Sequence, residues 1–95
     1  MRRIRWSPAA AADLEAIRDY LQEHNRPLMK STIQRLYSAA HSLKSSPNRG
    51  RLGKKEGTQE LVMVPMPYMI VYGVESEMVH IFRIIHTSRD WPKND

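Results

Sequence analysis

An α+β fold, a helical hairpin packed on a small antiparallel sheet in the order β-α-α-β-β-β, is predicted by three observations. Apolar residues recur at spacings of three and four between Ala10 and Leu43, the signature of two amphipathic helices. From Thr58 onward the chain turns to β-branched, aromatic and Met residues. Helix breakers and turn residues collect at the joints between these stretches rather than within them.

Each element has a local reason. "RRIRW", Arg2 to Trp6, reads as a short basic strand that stops at Ser7 and Pro8. Serine caps a helix by accepting a backbone N–H, and proline suits the first helical position, where its missing donor costs nothing. Ala10, Leu14, Ile17 and Leu21 then form one face, until "HNRP" ends the helix. There Asn25 is expected to take the left-handed C-cap conformation, and Pro27 can open the next helix. Met29, Ile33, Leu36, Ala40 and Leu43 mark its buried stripe, and "SSPNRG" closes it. "TQELVMV", "YMIVYGV" and "MVHIFRIIH" follow as three strands of an antiparallel meander, joined by "PMP" and by a polar tip at Glu75 to Glu77. Such a sheet packs one face on the helices and can leave the other open, where function is to be sought.

Length and composition bound the function. Ninety-five residues suit a single domain over 1–95, with one modest core. No stretch has the apolar length of a membrane span, and the basic start lacks the apolar core of a signal peptide, so a cytoplasmic location without membrane partners is expected. The absence of cysteine excludes disulfides and thiolate chemistry. His24, His41, His80 and His86 lack metal-ligand spacing, and no cofactor is expected. The net charge of +5 is concentrated at 47–57, where Arg49, Arg51, Lys54 and Lys55 stand against Glu56 alone. This patch suits a polyanion or an acidic protein, or is simply a solvated connector.

"WSPAAAADLEAIRDYL", "GTQELVM", "PYMIVYGV" and "FRIIHTSRDWP" together resemble the RelE/ParE superfamily, the toxins of type II toxin-antitoxin modules, over nearly the whole chain. The resemblance implies a growth-arresting toxin of the kind tied to plasmid stabilisation. It also implies a cognate antitoxin, acidic and of ribbon-helix-helix or similar type, whose partly disordered segment folds over the toxin. RelE-like members cut messenger RNA in the ribosome, whereas ParE-like members lack a recognised nuclease site and poison DNA gyrase.

Cleavage at a 2′-OH needs a base, a cation for the phosphate and an acid for the leaving oxygen. The parts at hand are Lys54 and Lys55 for charge, Glu56 or His86 as base, Arg83 or Arg89 for the phosphate, and Trp91 or Tyr68 for stacking. Two departures from the RelE-like pattern argue against a complete set. Met69 follows Tyr68 where those nucleases carry a phosphate-binding arginine, and the tail offers Trp91 where they carry a tyrosine. "FRIIH" instead resembles the "RVLH" strand end of ParE-like chains. The residues expected to face a target are thus Arg49, Arg51, Lys54, Lys55, Arg83, His86, Arg89 and Trp91. Structural alternatives stand beside this reading. Arg83 can pair with Glu60 across the sheet, His86 can hydrogen-bond at a strand end, His80 can be a solvated or satisfied histidine, and Trp6, Tyr20, Tyr37 and Trp91 can be core or lid residues. A basic nucleic-acid-binding module without toxicity is the third reading.

Overall fold

The computed structural model describes residues 2–88. β1 (Arg3–Trp6) leads into α1 (Pro8–His24) and α2 (Arg26–Ser42), followed by β2 (Arg51–Leu52), β3 (Gln59–Val62), β4 (Tyr68–Glu75) and β5 (Met78–His86). The strands form one five-stranded sheet in the order β1-β5-β4-β3-β2. β2 to β5 are antiparallel as expected, but β1 runs parallel to β5, so the sheet is mixed. The reason is topological. The helical hairpin carries the chain to the far edge of the sheet, and the meander walks back until its last strand lies beside β1. The two-residue β2 lies inside the connector read from sequence as irregular.

Ser7 accepts the Ala10 N–H at 2.9 Å and begins α1 as its composition requires. Asn25 departs from expectation. Its φ of −156° and ψ of 66° are not left-handed, and its N–H closes α1 onto the Leu21 carbonyl while α2 begins at the next residue. Leu36, Ala40, Leu43 and Ala10 are fully buried against Tyr68, Ile70, Tyr72, Val79 and Ile81 of the sheet, while Leu14 and Ile17 pack at its margin. Burying one such side chain contributes roughly 1.5–3 kcal/mol.

The sheet face away from the helices is not simply open. It holds a second apolar cluster of Met69, Val71 and Ile85, with Val62 beside it. The segment around Gly57, whose φ of +80° suits glycine alone, comes down on this face at Gly73. Tyr20 and Tyr37 are exposed and so are not core residues; Tyr20 stacks on His24, Tyr37 meets His41 at a tilt of 43°, and Trp6 stacks on Tyr37 with centroids 6.0 Å apart.

Candidate functional site

The strand end that carries Arg83 and His86 is shaped by a bulge. Val71 faces Arg83 and Tyr72 faces Ile81, so Phe82 has no partner on β4. β1 covers β5 only as far as Ile81, and the start of α1 takes over from there. Ser7 donates its N–H to the Ile81 carbonyl and its hydroxyl to the Phe82 carbonyl at 2.8 Å, and Asp13 accepts the Ile84 N–H at 2.9 Å. Asp13 also receives Arg83 in a two-pronged pair, Nε to Oδ2 at 2.7 Å and Nη2 to Oδ1 at 3.0 Å. That hydrogen-bonded carboxylate, outweighing burial, raises the pKa of the guanidinium.

The expected pairing of Arg83 with Glu60 is therefore replaced. Register places Arg51, Glu60, Val71 and Arg83 on one row across β2, β3, β4 and β5. Val71 stands between Glu60 and Arg83, and two strand spacings separate them by about 10 Å. Glu60, 2% exposed, instead takes Arg51 at 3.1 Å and the Lys54 N–H at 3.3 Å. A second anchor lies behind the same loop: the fully buried Tyr72 donates its hydroxyl to the Pro47 carbonyl at 2.7 Å and accepts the Gly50 N–H at 2.8 Å. Burial pushes the Tyr72 phenol above its ordinary value, partly offset by the Gly50 hydrogen bond and the charge of Arg49.

His86 leaves β5 on the other face, opposite Tyr68, whose ring it meets edge-on with centroids 5.4 Å apart. It lies in a cavity of about 470 Å³ lined by Asp13, Ile17, Tyr20, Tyr68 and Ser88 among others. Its Nδ1 meets the Ser88 N–H at 3.2 Å and the Ser88 hydroxyl at 2.7 Å. An Nδ1 that accepts a backbone N–H places the neutral ring's proton on Nε2. Tyr68 is held above its ordinary phenol value, first by burial and then by Tyr20.

The other expected site residues divide by location. Arg49 donates to the Ser42 hydroxyl at the end of α2. Lys54, Lys55 and Glu56 are exposed on the loop between β2 and β3. Met69 is buried in the second apolar cluster, 6% exposed. Arg89 and Trp91 lie outside the described residues. His80 is the third residue of β5, stacked on Phe82 with centroids 6.0 Å apart and 3.8 Å from the Glu75 carboxylate. Arg51 and Arg83 thus share a row, while Arg83 and His86 point to opposite faces.

Sequence reasoning missed Asp13 and Phe82. The bulge brings His80 and Arg83, three residues apart, to one face, a spacing that regular two-residue alternation cannot hold there.

A larger groove of about 840 Å³ runs between β1, α1 and α2. Ile4, Trp6, Leu14 and Ile33 supply apolar lining, and Arg3, Arg18 and Lys44 add cations. Among the described residues no group of three or more His, Cys, Asp or Glu is placed to hold a metal, and no helix is long and apolar enough to cross a membrane.

Comparison with known proteins agrees with this architecture. Residues 4–91 match the family described as "ParE toxin of type II toxin-antitoxin system, parDE". Toxin RelE2 of Caulobacter vibrioides is 44% identical over 89 residues, spanning 94% of this chain and 99% of its own. A solved structure of the "Chromosomal ParDE TA system from P. aeruginosa" superposes with a TM-score of 0.81 at 25% identity, covering 90% of this chain and 96% of that one. The mixed sheet, the helical hairpin across one face and the match from β1 past the end of β5 lead to one assignment: this chain belongs to the ParE toxin family of type II toxin-antitoxin systems, within the RelE/ParE superfamily.

Proposed function

We propose that the chain is a ParE-like toxin that arrests growth by poisoning DNA gyrase and is neutralised by a cognate antitoxin. The observation that carries the choice of branch is the state of the residues a nuclease would need. Arg83, the cation for a phosphate, is engaged by Asp13 through two hydrogen bonds. His86, the base, points to the other face with its acceptor nitrogen turned to Ser88. Position 69, where a second cation would stand, is a buried methionine. Acid-base cleavage needs these functions converging on one phosphate. A binder has no such requirement.

The antitoxin reading rests on the groove between β1 and the helices. Its lining of Ile4, Trp6, Leu14 and Ile33, with Arg3, Arg18 and Lys44 outnumbering Glu15, suits an amphipathic acidic segment, with apolar residues inward and carboxylates at the rim. The similarity to a P. aeruginosa chain from a ParDE system supports a partner of that role.

The name of the Caulobacter relative, Toxin RelE2, keeps ribosome-dependent messenger RNA cleavage as the alternative. One experiment separates the two. On induction of the chain alone, double-strand DNA breaks and filamentation are expected while messenger RNA stays intact. Messenger RNA cut at ribosomes, with unbroken DNA, would replace the gyrase reading by the nuclease.

A further inference from the structure

We propose that the bulge at Phe82 and Arg83 is the anchor by which this chain grips its target protein, the Phe82 ring entering an apolar pocket whose rim is acidic. The inference rests on the reading above that the chain binds a protein target, and it names the surface that does so.

A regular strand would send neighbouring side chains to opposite faces. Here Arg83 faces Val71, and Ile85 faces Met69, both in the cluster away from the helices. Phe82 lies on that face too, because it stacks on His80, which faces Gly73, with the rings within 5° of parallel. The bulge therefore starts two successive side chains, Phe82 and Arg83, on one face, and the Arg83 guanidinium is then taken up by Asp13 of α1. Bulges of this kind re-aim side chains beside functional sites.

The ring is held in place before any partner arrives. A Cβ on Gly73 would stand 2.7 Å from Phe82 Cε2 and 3.0 Å from the Gly57 carbonyl oxygen, so glycine is what lets both the ring and the loop lie on the sheet. His80 supports the ring from its side, and Asp13 fixes Arg83. Phe82 nevertheless remains 36% exposed, on a face where Val71 is fully buried. A pre-oriented aromatic beside an arginine has the composition of a binding hot spot and little rotamer freedom left to lose.

The chemistry of the partner follows from the charges around the ring. Arg83 is answered by Asp13, and His80 lies beside Glu75, so the ring's immediate neighbours carry little uncompensated charge for a phosphate. A protein pocket can cover them without stranding an ion. Farther out, Lys54 and Lys55 outnumber Glu56 among the exposed charges of the loop that reaches Gly73 through Gly57, which calls for carboxylates at the rim of the partner's pocket.

The test uses the full chain, purified DNA gyrase and supercoiled plasmid, with growth arrest on induction as a second readout. Phe82→Ala is expected to keep the far-UV circular dichroism spectrum. It should need at least about 30-fold more protein to accumulate cleaved plasmid, the loss expected when a hot-spot aromatic is removed. It should also lose growth arrest at wild-type protein levels. Phe82→Tyr should stay within about threefold of wild type. If Phe82→Ala fails to fold, Phe82→Leu carries the same test with its apolar bulk kept and its ring lost. A folded variant as potent as wild type on gyrase overturns the proposal and leaves the gyrase reading standing. Wild type that arrests growth without touching gyrase overturns that reading, and the growth assay of the variants then decides the anchor alone. Wild-type binding of a single-stranded oligonucleotide that is lost in Phe82→Ala would overturn the protein partner in favour of nucleic acid.

Discussion

On the helix side of the sheet, Arg3, Arg18 and Lys44 line a groove with Ile4, Trp6, Leu14 and Ile33, and the ion pair found there, Arg18 with Asp19, is long at 3.5 Å and exposed at both ends. Away from that groove, Arg51 meets Glu60 on the opposite face of the sheet at 3.1 Å and Arg83 meets Asp13 of α1 at 2.7 Å, with the carboxylates 2% and 18% exposed. Exposed pairs contribute little to stability, whereas breaking a shielded, hydrogen-bonded pair strands a group that has no water to replace its partner. The difference separates charge left for a partner from charge neutralised within the fold. Counting cations from the sequence cannot make that distinction, because it depends on which carboxylates the register brings near.

The strongest way to break the comparison is to remove the platform that both sides share. Leu36 is fully buried against the sheet, so Leu36→Asp places a carboxylate in the core at a cost of about 4 kcal/mol or more. Loss of cooperative thermal unfolding and of toxicity is expected. A variant that melts near wild type would mean that α2 presents a different face.

A more selective break is Asp13→Ala. It removes the partner of Arg83 and the acceptor of the Ile84 N–H together, at an expected cost of roughly 2–4 kcal/mol in urea unfolding. Asp13→Asn should cost less, because the amide oxygen can still accept the Ile84 N–H. Arg18→Ala, on the groove side, should change stability by no more than about 0.5 kcal/mol. Equal costs for Asp13→Ala and Arg18→Ala would erase the distinction between neutralised and available charge.

What the sequence made legible follows the same division. Ser7 and Pro8, the α2 stripe and the turn between Glu75 and Met78 announce themselves through neighbours a few residues away, and those elements appear as read, except that in the stripe Leu36, Ala40 and Leu43 are buried while Met29 and Ile33 are half-buried. The parallel partner of β1, the Asp13 to Arg83 pair and the burial of Glu60 depend on residues seventy or so positions apart or on strand order. No local pattern encodes them. The basic stretch at 47–57 was visible as charge, but its attachment through Glu60 and Tyr72 needed the register of β3 and β4.

Alkaline titration sharpens the contrast at the sheet itself. The Tyr68 and Tyr72 phenols are both raised above 10.0, chiefly by burial. Between 10.0 and the raised values the unfolded chain has released protons that the native state still holds, so stability present below pH 10 falls as pH rises through that window. The melting temperature should hold from pH 8 to about 10 and then drop. Tyr72→Phe should lose about 1–2 kcal/mol at neutral pH, from its hydrogen bonds to Pro47 and Gly50, and should show a shallower alkaline decline. An unchanged alkaline slope in both Tyr68→Phe and Tyr72→Phe would assign the decline to other groups.

The smallest expected effect is the most informative about chemistry. His86→Gln keeps a side-chain oxygen able to accept the Ser88 N–H, and it discards only the proton exchange of the ring. If His86 served as a general base, that loss would reduce cleavage by roughly 10²- to 10⁴-fold. With Nδ1 turned to Ser88 and the proton on Nε2, the ring instead holds a strand end, and toxicity should stay within about threefold of wild type. Met69→Arg is its companion. Placing an arginine among Val62, Val71 and Ile85 buries a charge at a site 6% exposed, so the variant should lose stability without gaining ribosome-dependent cleavage. Folded His86→Gln protein that loses messenger RNA cleavage shown by wild type, or Met69→Arg protein that begins to cut messenger RNA, would overturn the gyrase reading in favour of the nuclease.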